Sequence, residues 1–403
     1  RASLFFAFLS AAVCLLMAGS AVAQGRPGPG NPQPGNPQPG RQGGGGDGGG
    51  GPHALNCDPH SFPQRTQHSF AANPTDDRLL FIGVEQEGFF KSIDGGASWQ
   101  RATTGIKSWP RMVGPGPCYE EFYSTVIDSQ NPDNMCIALA GGPGLLSSPS
   151  SAGNNGVYCS TDAGETWTQR VTPTMNTAIY TLSVDPTDFN IMYAGANGGP
   201  CSNPPPVCPP DTYFNTIGAI YKTTDGGLTW TELDALYQLD LKIVDVRVSE
   251  QDPNVVIAAS FSKLPNSVAG PGQFAGRPQL GVLRSTDAGR TWTSSTQGMN
   301  ADPREQGLLD MEIAPQNAQR VFVTASSNRS YWSDDGGQSF HGINRLTAFA
   351  FDPHDPGGLH MLGSNGESIV ESRDGGASWT KIASTPGFVT FMQGVPTHVE
   401  WSR

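Results

Sequence analysis

Ser92-Ile93-Asp94-Gly95-Gly96-Ala97-Ser98-Trp99 decides the fold, because the same spacing returns at Ser160-x-Asp162-x-Gly164-x-Thr166-Trp167 and at Thr223-x-Asp225-x-Gly227-x-Thr229-Trp230. It recurs again at Ser285-x-Asp287-x-Gly289-x-Thr291-Trp292, Ser333-x-Asp335-x-Gly337-x-Ser339-Phe340 and Ser372-x-Asp374-x-Gly376-x-Ser378-Trp379. Each copy suits a hairpin turn. The short Asp side chain accepts hydrogen bonds from turn amides, glycine supplies a positive φ, and the aromatic ring buries against a neighbouring sheet. Successive motif aspartates are 68, 63, 62, 48 and 39 residues apart, so a constant unit carries insertions of varying length.

Ahead of each turn lies a second recurring element, an apolar strand, a polar turn and another strand. Leu182–Pro186 followed by Ile191–Gly195, and Val246–Val248 followed by Val255–Ala259, are the clearest copies. Asn73-Pro74, Asn131-Pro132, Pro315-Gln316-Asn317 and Asp352-Pro353 mark the same turn in the other units. Two strands before the motif and two around it make a four-stranded antiparallel unit. Repetition of such units is the mark of a β-propeller, which protects its sheet edges by radial arrangement. The expected fold is all-β, a single propeller of four-stranded blades over residues 57–403. Six blades are expected, and a seventh could be assembled from the N-terminal stretch and the tail Phe388–Arg403.

Over residues 70–380 the motifs resemble the Asp-box, or bacterial neuraminidase, repeat of sialidases, xyloglucan-active glycosidases, sortilin-type receptors and photosystem II assembly factors. The resemblance implies that Asp94, Asp162, Asp225, Asp287, Asp335 and Asp374 are structural and lie away from the ligand face. Sialidases of this type carry an Arg-Ile-Pro motif before the first box, and none precedes Ser92 here. Xyloglucan-active members resemble two tandem propellers and are much longer. Fold follows from such a likeness far more directly than activity does.

Residues 1–23 have Arg1, an apolar run from Leu4 to Met17 and a closing Ala21-Val22-Ala23, the pattern of a secretory signal peptide. An uncleaved anchor is the alternative. Residues 24–56, with a duplicated NPQPG and long glycine runs, hold almost nothing that could form a core and read as a disordered tether. The expected location is therefore secreted, periplasmic or cell-envelope, with no membrane insertion once the signal is removed. Net charge is −12, a balance that repels nucleic acid. Setting Cys14 in the leader leaves six cysteines, for which the pairs Cys136–Cys159, Cys201–Cys208 and, by elimination, Cys57–Cys118 are expected. Neither cysteines nor histidines show metal-ligand spacing, so no metal and no cofactor are expected.

In a four-stranded blade the connections divide between two faces. The long segments Gln100–Phe122, Gly141–Gly156, Asn197–Ile217, Ser260–Leu280 and Ser294–Leu308 all fall on the face opposite the conserved-length turns. Trp109, Arg111, Tyr119, Glu120, Glu121, Tyr213, Phe214, Phe274 and Arg277 offer aromatic platforms and charges there, the composition of recognition surfaces. Alignment of the inner strands places Arg247 and Glu312 at equivalent positions of adjacent blades, with Asp245 and Asp310 two residues earlier. This group could bind a polar ligand, act as acid and base, or simply form an inter-blade ion pair. The leading expectation is a monomeric binding or assembly module for a protein or glycan, and the alternative is a glycoside hydrolase with carboxylates at the channel mouth.

Overall fold

The computed structural model describes residues 67–84, 87–110, 117–119, 121–140, 156–170, 179–196, 219–233, 242–261, 280–295, 297–299, 308–325, 329–344, 346–365 and 368–384. They form six four-stranded antiparallel sheets, each with its strands in sequence order, arranged as a six-bladed propeller. A two-stranded ribbon, Trp109–Pro110 with Pro117–Cys118, is added between the first two blades. No helix occurs among the described residues. The stretches 1–23, 24–56 and Phe388–Arg403 lie outside them.

The six inner strands are Gln67–Ala72, Glu121–Ile127, Ile179–Asp185, Lys242–Val248, Leu308–Ile313 and Ala348–Phe351. The next strand of each blade is apolar on both faces, as in Met135–Ala140 and Val256–Phe261, because it is covered by a neighbour on either side. The core therefore lies between blades. Phe81 and Phe89 of blade 1 pack with Phe122, Met135 and Trp167 of blade 2, and Phe322 of blade 5 packs with Phe349, Phe351 and Met361 of blade 6. Each such buried side chain contributes about 1.5–3 kcal/mol relative to exposure.

The recurring turn does what its residues suggest, in all six copies. In the first, Ser98 donates its amide to Asp94 Oδ1 at 2.8 Å and its hydroxyl to Oδ2 at 2.6 Å, while Ser92 Oγ donates to Oδ1 at 2.8 Å and accepts the Gly96 amide at 2.8 Å. The bonds from Ser98 and Ser92 hold the Asp94 carboxyl down at about 2, and the equivalent bonds do the same for Asp225 and Asp287. Each motif also donates an amide to the first turn of its own blade, as Gly95 does to Arg78 and Gly226 to Asn190, which fixes both turns on one face.

The motif also reaches the blade before it. Trp167 Nε1 donates to the Ala102 carbonyl at 2.9 Å, and the Trp167 ring meets Phe89 edge-on at 5.4 Å. Conversely, the residue preceding the motif serine or threonine reaches forward. Lys91 pairs with Glu165 at 2.6 Å, Lys222 donates to Ala288 O at 2.9 Å, and Arg284 donates to Gly336 O at 2.8 Å. In blade 2 that position is Cys159, which is bonded instead to its register partner Cys136. Cys57, Cys201 and Cys208 fall outside the described residues, so the two remaining pairings do as well.

Candidate functional site

The first turns and the motif turns occupy one face, so the inner strands begin at the other, where the long connections enter. Five of them start with an irregularity of register, between Gln67 and Ser69, Phe122 and Ser124, Ile179 and Thr181, Ile243 and Asp245, and Leu308 and Asp310. The extra residue is His68, Tyr123, Tyr180, Val244 or Leu309 in turn. A bulge of this kind re-aims side chains at a sheet's end. The connecting segments 111–116, 141–155, 197–218, 262–279 and 300–307 lie outside the described residues.

Beyond the bulges, side-chain oxygens tie the inner strands of blades 1 to 6 to one another in turn. Thr125 of blade 2 donates to Ser69 of blade 1, Ser124 Oγ accepts the Leu182 amide at 3.1 Å, and Ser183 Oγ accepts the Val248 amide at 2.9 Å. Asp245 Oδ2 accepts the Met311 amide at 2.9 Å, and Glu312 Oε2 accepts the Phe351 amide at 3.3 Å. Among the described residues, hydroxyls make these ties between blades 1, 2 and 3, and carboxylates of blades 4 and 5 take part in those between blades 3, 4, 5 and 6. That concentrates charge on one side of the channel wall.

Asp245 is the covered member, with a side chain only 5% exposed. It accepts Thr181 Oγ1 at 2.9 Å, the Met311 amide at 2.9 Å, and Arg247 Nε and a terminal guanidinium nitrogen at 3.1 Å each. Burial pushes its carboxyl up to about 6; Arg247 opposes that shift and the neighbouring Asp310 adds to it. Arg247 also donates to the Met311 carbonyl at 2.8 Å and lies 3.6 Å from Asp310. Although burial works against it, Asp245, Asp310 and Glu312 hold the guanidinium above its usual range. Arg247 and Asp310 are 38% and 39% exposed, and Glu312 is half-buried, so these three present polar atoms to solvent. Three carboxyl groups surround one guanidinium, and the cluster carries no spare positive charge.

Of the other expected binding residues, Tyr119, Trp109 and Glu121 are among the described ones. Tyr119 is 5% exposed and packs against Phe122, with its hydroxyl 2.8 Å from Thr103 Oγ1. Its ring fastens the connection to the core rather than standing as a platform. Trp109 pairs by backbone with Cys118 in the short ribbon, and Glu121 opens the inner strand of blade 2 opposite Ala140. Arg111, Glu120, Tyr213, Phe214, Phe274 and Arg277 lie outside the described residues.

The sequence reading overlooked Tyr123 and Tyr180. These are the bulged residues of adjacent inner strands, both half-buried, with ring centroids 4.4 Å apart and planes at 43°. They stand immediately before the bonding residues Ser124 and Thr181, whose role only the structure shows. On the opposite face, a cleft of about 350 Å³ is lined by Asp352, His354, Asp355, Leu359, His360 and Arg373. His360 there bridges Asp352 at 2.8 Å and Glu371 at 2.9 Å, and Arg373 meets Glu371 at 2.6 Å. Those contacts join neighbouring strands of blade 6. Among the described residues no three His, Cys, Asp or Glu side chains converge as a metal-binding group.

No family model matches the chain. A curated xyloglucanase from Paenibacillus sp is 23% identical over 355 residues, which cover 78% of this chain and 31% of the relative. Among solved structures, an ancestral GH74 enzyme superposes with a TM-score of 0.54 at 16% identity, over 81% of this chain and 40% of that one. The extracellular domain of a one-component system from B. thetaiotaomicron gives 0.51 at 10% identity, covering 84% of this chain and 36% of that one. The likeness is one of fold. The chain spans less than a third of the curated xyloglucanase and two fifths or less of either solved chain.

Proposed function

We propose that this chain is an exported propeller that binds glycan at the channel mouth on its loop-bearing face. The observation carrying this reading is the half-exposed group Arg247, Asp310 and Glu312 on the inner strands of adjacent blades. Carboxylate oxygens accept hydrogen bonds from sugar hydroxyls, and a guanidinium donates to ring and hydroxyl oxygens. With three carboxyl groups around one arginine, an anionic polymer gains no uncompensated cation and meets repulsion, so uncharged sugars are the favoured ligands. The curated xyloglucanase and the ancestral GH74 enzyme support a glycan connection, and the leader-like residues 1–23 support export. Asp310→Asn with Glu312→Gln should weaken glycan binding by about tenfold, or about 1.4 kcal/mol, while leaving the melting temperature within a few degrees. Unchanged affinity would remove the channel group from the site.

A second reading, a glycoside hydrolase, draws on Asp245. Its carboxyl is raised to about 6, and both it and Asp310 lie 2.9 Å from the Met311 amide, so their nearest oxygens are at most twice that distance apart. A pair of carboxyl groups at such close range is the raw material of glycosidic cleavage. The covering of Asp245 and its full set of donors favour the binding reading. Release of reducing ends from neutral polysaccharides, abolished by Asp310→Asn, would establish the hydrolase instead.

A further inference from the structure

We propose that Tyr123 and Tyr180 form the stacking subsite of this face, the place where one pyranose ring of the glycan lies across two adjacent blades. The inference rests on the glycan-binding reading and specifies which side chains grip the sugar.

The local geometry gives three reasons. First, both residues are the additional residue of a bulge at the start of an inner strand, between Phe122 and Ser124 in blade 2 and between Ile179 and Thr181 in blade 3. The flanking apolar residues Phe122 and Ile179 are fully buried, whereas each tyrosine is only partly covered. The bulge therefore separates a fully buried residue from a partly exposed one, in the same way in two neighbours. The corresponding residue of blade 4 is Val244, so the aromatic pair is confined to blades 2 and 3.

Second, the rings meet, with centroids 4.4 Å apart and planes inclined at 43°. An aromatic pair in contact is stiff, so little side-chain freedom is lost when a ligand settles on it. The C–H face of a pyranose is flat and apolar and matches such a surface, while its hydroxyls point outward around the rim. Third, the polar partners are close in sequence and structure. Ser124 and Thr181 follow the tyrosines, and Thr181 donates to Asp245, the residue that holds Arg247. A sugar on the tyrosines would thus direct its hydroxyls toward the charged wall of blades 4 and 5. Apolar contact with a few convergent polar groups is the usual composition of a ligand site.

The test is calorimetric titration of the full chain with neutral β-linked and α-linked hexasaccharides. Tyr123→Leu and Tyr180→Leu keep apolar bulk against the core and remove the aromatic face; Tyr123→Phe and Tyr180→Phe keep the face and remove the hydroxyl. Each leucine variant is expected to bind about tenfold more weakly, the double leucine variant to lose measurable binding, and the phenylalanine variants to stay within about threefold of the parent. Thermal melting of each variant confirms that the propeller is intact. If the leucine variants bind as tightly as the parent, the tyrosines are not the subsite although the glycan reading stands. Loss of binding in the phenylalanine variants equal to that in the leucine variants would overturn stacking in favour of hydroxyl contacts. If the parent itself binds no hexasaccharide, the glycan reading falls and the proposed subsite falls with it.

Discussion

Replacing Arg247 with methionine probes the charged wall most sharply, because Asp245 then stays buried without its cation. Arg247 supplies two of the four bonds that Asp245 accepts, and one to the Met311 carbonyl. Breaking a fully buried pair on one side costs about 3–5 kcal/mol. Here the guanidinium is 38% exposed, so water already screens part of its charge and the lower end, ~3 kcal/mol, is expected. For a propeller of this size that corresponds to a melting temperature lower by roughly 4–6 °C. The loss should depend on pH with a definite sign. Asp245 is raised to about 6 even beside Arg247, and removal of the arginine raises it further. The folded state then holds a proton that the unfolded state releases near 3.8, so stability falls as pH rises through the interval between those values. Melting of Arg247→Met is therefore expected to approach that of the parent at pH 5 and to show its full deficit at pH 8. Adding Asp245→Asn should recover about 2 kcal/mol at pH 8, since an amide oxygen still accepts the Met311 N–H and no charge is stranded. A deficit under about 1 kcal/mol that is equal at pH 5 and pH 8 would show that Asp245 and Arg247 are not coupled as described.

Two further outcomes concern the motif turns. A Cβ at Gly105 would collide with the Trp167 carbonyl of the next blade at a φ of +91°, whereas at Gly95, φ +71°, no atom lies within 4 Å. Gly105→Ala should therefore destabilise by more than Gly95→Ala, whose cost is the left-handed strain alone, about 1 kcal/mol, as read by thermal melting. Acid should loosen all six turns. Asp94, Asp225 and Asp287 are held down at about 2 by bonds from their own turn, so the stability they contribute is present above their ordinary value of 3.8 and is lost as pH falls toward 2. Circular dichroism melts between pH 5 and pH 2 should show a progressive fall; a flat profile would mean that these bonds contribute nothing to folding.

What could be read in the sequence was what short-range chemistry encodes. The six motif aspartates bond residues two and four positions away, so their geometry is written in consecutive letters, and the blade count followed from counting them. Pairing of Cys136 with Cys159 was visible because both sit at matching ends of neighbouring strands. Aligning the inner strands set Arg247 level with Glu312 and Asp245 level with Asp310, since blades repeat one register, and in the structure Arg247 lies 3.6 Å from Asp310. The tyrosine pair was hidden for a physical reason. A bulge adds one residue without changing composition, and it reverses which alternate positions face outward, so Tyr123 and Tyr180 read as ordinary strand residues. Tyr119 misled in the other direction. It sits in a polar, proline-rich connection, where nothing in the neighbouring letters shows that Phe122, Phe89 and Thr103 converge on it from other strands.

The central claim is that the loop-bearing mouth takes an uncharged glycan, and calorimetric competition addresses it directly. The full chain would be titrated with a neutral oligosaccharide and, in parallel, with a uronic-acid oligosaccharide of equal length at 0.15 M salt. The account predicts saturable binding of the neutral sugar at least tenfold tighter than of the acidic one. Equal or tighter binding of the acidic sugar, or heat from neither, would contradict it.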